Sequence, residues 1–227
     1  MKKRISAIIP VFNEEKKIEE TLLEIKKIDV ISKIYVVNDG STDNTAEITS
    51  KINGIVLINC LSNNGKGAAL KMGVKIALEE SDIIIFLDGD LGKTVREANK
   101  LLEPIISNTT DVTIAKFPPA KKKGGLGFVK KLAKYGVYYY TGKKLDTVLS
   151  GQRAFKKSVL KSISLDYRGF EVELGMTIEI LKKGFIIKEV DVNMVHNETG
   201  RDLQGFIHRG KQFKAILYKL LTLKTSL

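Results

Sequence analysis

Apolar segments typical of buried strands alternate with amphipathic segments typical of helices through the beginning of the chain, and this alternation restricts the fold more than any other feature. The strand-like segments are Ile5–Phe12, Lys33–Val37, Ile55–Asn59 and Ile83–Leu87. The helix-like segments between them are Glu14–Ile28, Asp43–Lys51 and Lys66–Glu79. Because short links join these segments, the pattern predicts right-handed βαβ units and an α/β fold with a mostly parallel central sheet flanked by helices.

The rest of the chain has a less regular pattern. Strands are predicted at Val112–Ala115, Leu149–Phe155 and Phe185–Val190, and helices at Phe128–Tyr140, from Lys156, and at Glu171–Lys182. Residues 117–127 contain prolines, lysines and glycines without apolar periodicity and are predicted to form a loop. An amphipathic helix is predicted at Leu203–Leu223, and it can pack on its own domain or lie on an anionic membrane surface. Its predicted apolar face contains Phe206, Phe213, Ile216, Leu217, Leu220 and Leu221.

Composition narrows the classes of function. The chain has 227 residues, of which 43% are hydrophobic, and this fits a globular domain. Its single cysteine, Cys60, cannot form an internal disulfide, which indicates a reducing compartment. No apolar run approaches the length of about 18 residues typical of a membrane-spanning helix, so a soluble or peripheral protein is expected. The net charge of +12 indicates either an anionic partner or a lysine-rich solvated surface.

A cluster of polar residues follows each predicted strand of the first half. The clusters are Asn13-Glu14, Asn38-Asp39-Gly40, Asn63-Asn64-Gly65-Lys66-Gly67 and Asp88-Gly89-Asp90. Ligands of open α/β sheets bind beyond the carboxyl ends of the strands. We therefore expect these clusters to form the rim of one site.

Asp88 and Asp90 follow the apolar segment IIIFL and are separated by a single glycine. Two carboxylates this close repel each other unless water screens them, a basic side chain pairs with them, or they hold a divalent metal ion. Both can reach one Mg²⁺ or Mn²⁺ ion. Such an ion would neutralise the charge that develops on a diphosphate leaving group. An ordinary Asp-Gly turn explains the same residues without any ligand.

Asp39 and Lys66 each have two interpretations. Asp39 could accept hydrogen bonds from a nucleobase or ribose, or it could belong to a simple Asn-Asp-Gly-Ser turn. Lys66 follows a glycine turn at a predicted helix N-terminus, where it could meet an anion or be solvated. The segment NNGKG is not a phosphate-binding P-loop, because it lacks the Ser or Thr that this motif needs near the lysine.

The segments IPVFNEE, VVNDGSTDNT, NNGKGAAL and FLDGDLG, in this order and spacing, resemble family 2 glycosyltransferases with the GT-A fold. The resemblance covers residues 5–92. It implies that Asp39 contacts the base of a nucleotide-diphosphate sugar, and that Asp88 and Asp90 contact its ribose and a metal ion. The residues implied to cradle the nucleotide are Pro10, Val11, Phe12 and Glu14.

Two weaker resemblances concern the acceptor. The segment SGQRAF is similar to one in polyprenyl-phosphate glycosyltransferases such as dolichol-phosphate mannose synthases, which implies that Arg153 faces an acceptor phosphate. An arginine here could instead extend its stem along apolar neighbours. The segments GFEVELG and VDVNMVHNETGRD resemble glucosyl-3-phosphoglycerate synthases, which implies a sugar contact at Glu173 and a metal ligand at His196. Gln152 replaces an aromatic residue of the first family, and the acceptor segment of the second is absent, so the acceptor stays open.

A second charged cluster surrounds the end of this region. It contains Arg201, Asp202, His208 and Arg209. Its cations could bind a diphosphate, in which case His196 belongs to the same site. A purely structural role for His196 is an equal alternative.

We therefore predict a metal-dependent glycosyltransferase that moves a hexose from a nucleotide-diphosphate sugar, preferably a UDP-sugar, to polyprenyl phosphate. The predicted catalytic residues are Asp90, Glu173 and Arg153. Mg²⁺ or Mn²⁺ is expected at Asp88, Asp90 and His196. Further contacts to the nucleotide-sugar are expected from Lys66, Arg201 and Arg209. A phosphate nucleophile is already anionic at neutral pH, so electrostatic stabilisation of the leaving group is the main contribution expected from the protein.

The prediction treats residues 1–227 as one domain, with a nucleotide-sugar-binding half at 1–92, an acceptor half at 93–200 and a basic amphipathic helix at 201–227. A cytoplasmic protein is expected, while peripheral contact with the inner membrane face and a homodimer are left open. The alternative reactions are transfer to a small phosphorylated acid and nucleotidyl transfer, which would release pyrophosphate. No nucleic-acid partner is expected, because the sequence contains no recognisable nucleic-acid-binding motif.

Overall fold

The computed structural model describes residues 3–118, 127–167, 171–195, 213–214, 216–218 and 220–222. Its strands are β1 (Ile5–Val11), β2 (Lys33–Asn38), β3 (Ile55–Asn59), β4 (Ile83–Phe86), β5 (Val112–Lys116), β6 (Arg153–Lys156) and β7 (Ile187–Asp191). Its helices are α1 (Ile18–Ile25), α2 (Thr45–Ser50), α3 (Lys66–Glu80), α4 (Ala98–Ile106), α5 (Phe128–Thr141), α6 (Lys157–Ser162) and α7 (Val172–Lys182). A 3₁₀ helix covers Gly92–Glu97, and helical turns also occur within 213–222.

The seven strands form one sheet in the order β3-β2-β1-β4-β6-β5-β7. The four strands of the first half pair in parallel, and β5 pairs in parallel with β7. Strand β6 runs antiparallel to both of its neighbours, β4 and β5. The predicted mostly parallel α/β sheet is therefore confirmed, with one reversed strand that the sequence pattern does not predict.

The reversal of β6 determines which of its residues reach the candidate site. Phe86, the last residue of β4, pairs with Arg153, the first residue of β6. The residues immediately before β6 therefore lie at the carboxyl end of β4, next to Asp88. A parallel strand at this position would have placed them at the opposite edge of the sheet.

Helices cover both faces of the sheet, and this explains why its central strands are apolar on both sides. On one face, Ile9 and Ile85 belong to a buried cluster that includes residues of α1 and α4. On the other face, Ile8 and Ile84 belong to a cluster that includes residues of α3 and α7. A third cluster joins α5, α7 and the helical residues within 213–222.

The sequence pattern misses the 3₁₀ helix and α4 and misplaces the beginning of β6. Helix α4 buries Ala98, Leu101, Leu102 and Ile105 at helical spacing. It also contains Pro104, and because a proline inside a helix ordinarily interrupts it, the apolar spacing alone is a weak signal there. The predicted strand Leu149–Phe155 begins too early, since β6 starts only at Arg153.

The helical residues within 213–222 contact the domain through only part of the predicted apolar face. Ile216 is 1% exposed and Leu220 is 8% exposed, and both belong to the cluster with α5 and α7. Leu217 and Leu221, predicted on the same face, are 38% and 77% exposed. The predicted single apolar face is thus divided between a packed side and an open side. Residues 203–212 of this predicted helix lie outside the described residues.

Among the described residues, no helix combines the length and the apolar character that crossing a bilayer would need. The division of the chain into halves at 1–92 and 93–200 stays a prediction. So does the assignment of 201–227 as a separate basic helix.

Gly67 provides a test of how the beginning of α3 packs. A Cβ atom at this position would lie 2.2 Å from the carbonyl oxygen of Tyr167 and 3.7 Å from Cγ2 of Val172. Since the closest atom belongs to the backbone, it cannot rotate away, and we expect Gly67→Ala to lower the free energy of unfolding by about 1–3 kcal/mol. Urea unfolding measures this change. The control Lys75→Ala, at an exposed position of the same helix, should stay within about 0.5 kcal/mol of wild type. Equal stabilities of the two variants would contradict this packing.

Candidate active site

The loop after β1 is tied to the loop after β2 by side-chain hydrogen bonds. The backbone N–H of Asn13 donates to Oγ of Ser41 at 3.0 Å, and the N–H of Glu14 donates to Oγ1 of Thr45 at 2.8 Å. In return, Oδ1 of Asn13 accepts the N–H of Thr42 at 2.8 Å. Asn13 has a φ of 57°, a conformation that asparagine tolerates better than most residues. These bonds hold two of the predicted rim segments together.

Asp39 follows β2 directly, and its carboxylate accepts hydrogen bonds from the loop that precedes α3. It is 4% exposed and accepts the N–H groups of Asn64 at 2.9 Å and Gly65 at 2.7 Å. The adjacent Gly40 has a φ of 72°, and a Cβ there would lie 2.6 Å from the carbonyl carbon of Ser62. Asp39 therefore fixes the loop that leads into α3. It also lines a cavity of about 460 Å³ together with Cys60, Asn64, Ala68 and Met72.

Lys66, the first residue of α3, connects three parts of the chain. Its Nζ lies 2.7 Å from Oδ1 of Asp88 and 3.4 Å from Oε1 of Glu173, which belongs to the first turn of α7. Burial disfavours the charged form, but Asp88 and Glu173 outweigh it and raise the pKa of Lys66 above its usual value. The ammonium group is therefore a permanent cation at the rim. Gly65, the residue immediately before α3, has a φ of 89°, a backbone conformation that favours glycine.

Gln152 and Gly151 complete the surroundings of Asp88. The side-chain amide of Gln152, which is 1% exposed, donates to Oδ2 of Asp88. A Cβ on Gly151 would lie 2.4 Å from Nζ of Lys66 and 3.4 Å from both carboxylate oxygens of Asp88. A larger residue at position 151 would therefore displace the ammonium group of Lys66 from its present place. The contact of Gln152 is one that the sequence pattern misses, and its sole signal is the replacement of an aromatic residue in the segment SGQRAF.

Glu14 lies in the field of the two aspartates. Burial, followed by the charges of Asp90, Asp88 and Asp43, raises the pKa of Glu14 to about 7. The backbone of Gly89 is close as well, since a Cβ there would lie 3.7 Å from Cγ of Glu14. The structure thus brings the segments FNEE and LDGD together, as the sequence predicts, and concentrates negative charge between them.

Arg153 does not lie on the open rim. It is fully buried, and its guanidinium donates to the carbonyl oxygens of Val148 and Ser150 and to Oγ1 of Thr177, at distances of 2.5, 2.7 and 2.9 Å. Burial lowers the pKa of Arg153 to about 10, with Glu173 acting in the opposite direction, so the group stays charged at neutral pH. The expected contact with an acceptor phosphate is not formed in this arrangement. Arg153 instead holds the loop that precedes Gln152.

The other predicted site residues divide into two groups. Pro10 and Val11 end β1, and Phe12 follows it with 44% of its surface exposed. His196, Arg201 and Arg209 lie outside the described residues, as do Asp202 and His208 of the same charged cluster. Within the part of the chain that the structure describes, no three side chains of His, Cys, Asp or Glu are grouped closely enough to hold a metal ion by themselves.

Comparisons with known proteins show which sequences this chain resembles. Residues 6–164 match the sequence profile of the family described as "Glycosyl transferase family 2". The chain is 32% identical to an uncharacterized protein of Methanocaldococcus jannaschii, over 98% of this chain and 93% of that protein. It is 30% identical to the UDP-N-acetylglucosamine–dolichyl-phosphate N-acetylglucosaminyltransferase of Methanococcus voltae, over 98% of this chain and 96% of that protein.

A solved structure shows the same fold. Glucosyl-3-phosphoglycerate synthase from Mycobacterium tuberculosis, crystallised with Mn²⁺, UDP and glucosyl-3-phosphoglycerate, superimposes with a TM-score of 0.79. The alignment covers 99% of this chain and 82% of that chain at 23% identity. At this level of identity the likeness concerns the fold alone, and it confirms the predicted GT-A arrangement.

The raised pKa of Glu14 predicts a specific dependence of stability on pH. The pKa is about 7 in the folded chain against 4.5 as the ordinary value, so the stability that this carboxyl contributes is present below pH 4.5 and lost as the pH rises through 7. Glu14→Gln cannot ionise, and we expect it to gain about 1–2 kcal/mol relative to wild type between these limits, less than the full shift because a partly exposed group is screened. Urea unfolding below pH 4.5 and above pH 7 measures the difference. An effect of equal size at both pH values would contradict the assignment.

Proposed function

Since the chain belongs to glycosyl transferase family 2, we propose that it transfers a hexose from a UDP-sugar to polyprenyl phosphate with the help of a divalent metal ion. The Methanococcus voltae relative, which matches almost the full length of both chains, carries the name of an enzyme that uses a UDP-sugar and dolichyl phosphate. That relative supports both the donor and the acceptor class. The observation that carries the proposal is the acidic group Glu14, Asp88 and Asp90 at the carboxyl edge of the sheet.

The acidic group suits a hard divalent cation. Mg²⁺ and Mn²⁺ prefer oxygen ligands, commonly take only one or two carboxylates from the protein, and leave their other positions to water and substrate phosphates. The charges of Asp88 and Asp90 already disfavour ionisation of Glu14, and a cation would relieve this repulsion. Asp88 and Asp90 would hold the ion, with His196 as the further ligand that the sequence indicates. Once bound, the ion would neutralise charge on the departing diphosphate.

The nucleotide would occupy the rim formed by the loops after β1, β2 and β3. Asp39 lines the cavity at this rim, and we assign the base to that cavity. Pro10, Val11 and Phe12 are proposed as further contacts to the nucleotide on the evidence of the sequence alone. Asp39 has a double role in this proposal, because the carboxylate that faces the cavity also holds the N–H groups of the loop before α3. The base-binding surface is thereby built before the ligand arrives.

Lys66 and Glu173 would lie between donor and acceptor. The ammonium group of Lys66 stands at the N-terminus of α3, where the helix itself favours anions, and it can approach the diphosphate. Glu173 is oriented by Lys66 and is the candidate contact to the sugar hydroxyls. Both side chains are held before the substrate binds, and such preorganised charges stabilise a transition state without the cost of reorientation.

We assign the acceptor side of the site to Gln152 and Arg153. A phosphate acceptor attacks as an anion and needs no strong general base from the protein. We assign Arg153 a positioning role, because its bonds to Val148 and Ser150 fix the loop from which Gln152 reaches Asp88. Arg201 and Arg209 are proposed as contacts to the diphosphate on the evidence of the sequence alone.

Removal of the second aspartate tests the metal site. We expect Asp90→Ala to abolish turnover, with a loss in kcat/KM of at least about 100-fold, because the leaving group then lacks electrostatic stabilisation. The thermal unfolding midpoint of the variant without ligands should stay near that of wild type, while the increase caused by UDP with Mn²⁺ should disappear. The control Asp29→Ala, at an exposed position after α1, should keep both properties. Full activity of Asp90→Ala would remove the metal role.

An acceptor comparison tests the reaction. With a panel of UDP-sugars and Mg²⁺ or Mn²⁺, we expect UDP release and a radiolabelled product that partitions into an organic phase when a polyprenyl phosphate is supplied. A water-soluble labelled product formed with 3-phosphoglycerate would favour the alternative acceptor, a small phosphorylated acid. Release of pyrophosphate in place of UDP would overturn the proposal in favour of nucleotidyl transfer.

A further inference from the structure

Helix α5 presents a row of aromatic side chains to solvent. It buries Ala133, Gly136 and Val137 on one side. The opposite side carries Phe128, Tyr135, Tyr138 and Tyr139, which are 60%, 65%, 47% and 62% exposed. Phe128, Tyr135 and Tyr139 follow one another at intervals of seven and four residues, and Tyr138 comes three residues after Tyr135, which places all four on one side of the helix. Four exposed aromatic residues on one helix are unusual for a surface that faces only water.

The helical residues within 213–222 lie next to α5 and carry further exposed side chains. They pack tightly on α5, since a Cβ on Gly136 would lie 2.4 Å from Cδ2 of Leu220, and the hydroxyl of Tyr140 donates to the carbonyl of Leu220. Two further side chains of this segment, Tyr218 and Leu221, are 69% and 77% exposed. Exposed tyrosine and leucine side chains thus lie on two helical segments that pack against each other.

The same surface is strongly basic. Helix α5 contains Lys130, Lys131 and Lys134 and no acidic residue, and Lys143 and Lys144 follow it directly. The ammonium of Lys144 lies 5.7 Å from the centre of the Tyr138 ring. Asp146, the next acidic residue along the chain, already pairs with Lys134 at 2.8 Å. Positive charge and apolar surface therefore occur together. We call this the aromatic–basic surface; its members are Phe128, Lys131, Tyr135, Tyr138, Tyr139, Lys143, Lys144, Tyr218 and Leu221.

We propose that the aromatic–basic surface docks the protein on an anionic lipid bilayer. Tyrosine suits the boundary between headgroups and hydrocarbon because it has an apolar ring and a polar hydroxyl. Insertion of leucine side chains among acyl chains is favourable because it buries apolar surface, and lysines are attracted to anionic headgroups. A second copy of the chain fits less well, because two surfaces of this kind would bring lysines against lysines. Single-stranded nucleic acid would use the tyrosines and lysines but not the exposed Leu221.

Docking would assist the reaction, because the aromatic–basic surface lies mainly on α5, which is next to an element of the candidate active site. This role of the docking rests on the proposed function. Helix α5 packs against α7, and the first turn of α7 carries Glu173 beside Lys66. Docking through α5 would therefore bring the acceptor side of the active site close to the membrane. A phosphate carried on a polyprenyl chain lies at the same headgroup level.

Vesicle co-sedimentation of the full chain tests the proposal. The vesicles consist of phosphatidylcholine alone or of phosphatidylcholine with phosphatidylglycerol, and they contain neither acceptor nor nucleotide. Wild type should bind the anionic vesicles and bind the neutral ones much less. The double variant Lys131→Gln with Lys144→Gln should bind the anionic vesicles at least about tenfold more weakly, given the contribution expected for each lysine near such a surface. The double variant Tyr135→Ser with Leu221→Ser should bind both kinds of vesicle about tenfold more weakly.

The matched control removes the same charge elsewhere. Lys75→Gln with Lys161→Gln changes exposed lysines on α3 and α6, which pack against each other, and this variant should bind as wild type does. Circular dichroism confirms that every variant keeps the wild-type unfolding midpoint. Absence of wild-type binding to anionic vesicles, or an equal loss in the control, would overturn the proposal. Loss of a wild-type dimer in the α5 variants, seen by sedimentation without vesicles, would assign the surface to a second copy instead.

The design separates this proposal from the proposed function. Vesicle binding is measured without any substrate, so it can fail while the enzyme is active on a short, water-soluble prenyl phosphate in free solution. Conversely, vesicle binding in a protein that is inactive with every prenyl phosphate would support the docking surface and contradict the proposed acceptor.

Discussion

The ammonium group of Lys66 between Asp88 and Glu173 is the interaction on which the candidate active site depends. It joins the N-terminus of α3, the carboxyl end of β4 and the first turn of α7, which are distant in sequence. Without this cation, the carboxylates at the rim would face one another at close range in a partly buried place, where repulsion is strong. Two glycines make the arrangement geometrically feasible. Gly65 turns the chain into α3, and Gly151 leaves the space that Nζ of Lys66 fills.

Part of this site follows from local patterns, and that part could be predicted from the sequence. Each rim segment comes directly after an apolar strand, and parallel strands place such segments at one edge. The prediction of a parallel α/β sheet with Glu14, Asp39, Asp88 and Asp90 at its carboxyl edge needed no knowledge of packing. The family resemblance rests on the same segments, so both lines of reasoning succeed in the same region of the chain.

The rest depends on strand pairing and burial, which short patterns do not encode. Strand β6 is inserted antiparallel between β4 and β5, and only this reversal brings Gln152 to Asp88. The segment SGQRAF by itself gives no indication of the direction in which it runs. The family resemblance implies that Arg153 faces an acceptor phosphate, whereas the structure buries its side chain against backbone carbonyls. Helix α4 was missed because Pro104 weakens the helical pattern that its buried residues otherwise form.

The central claim is that the acidic edge of the sheet binds a divalent cation together with a nucleoside diphosphate. A crystal structure determined after soaking with UDP and Mn²⁺ tests this claim most directly, because manganese is located by its anomalous scattering. We expect an anomalous peak coordinated by Asp88 and Asp90, and the uracil ring in the cavity beside Asp39. A peak at any other place, or UDP bound without metal and away from the carboxyl ends of β1, β2 and β4, would contradict it.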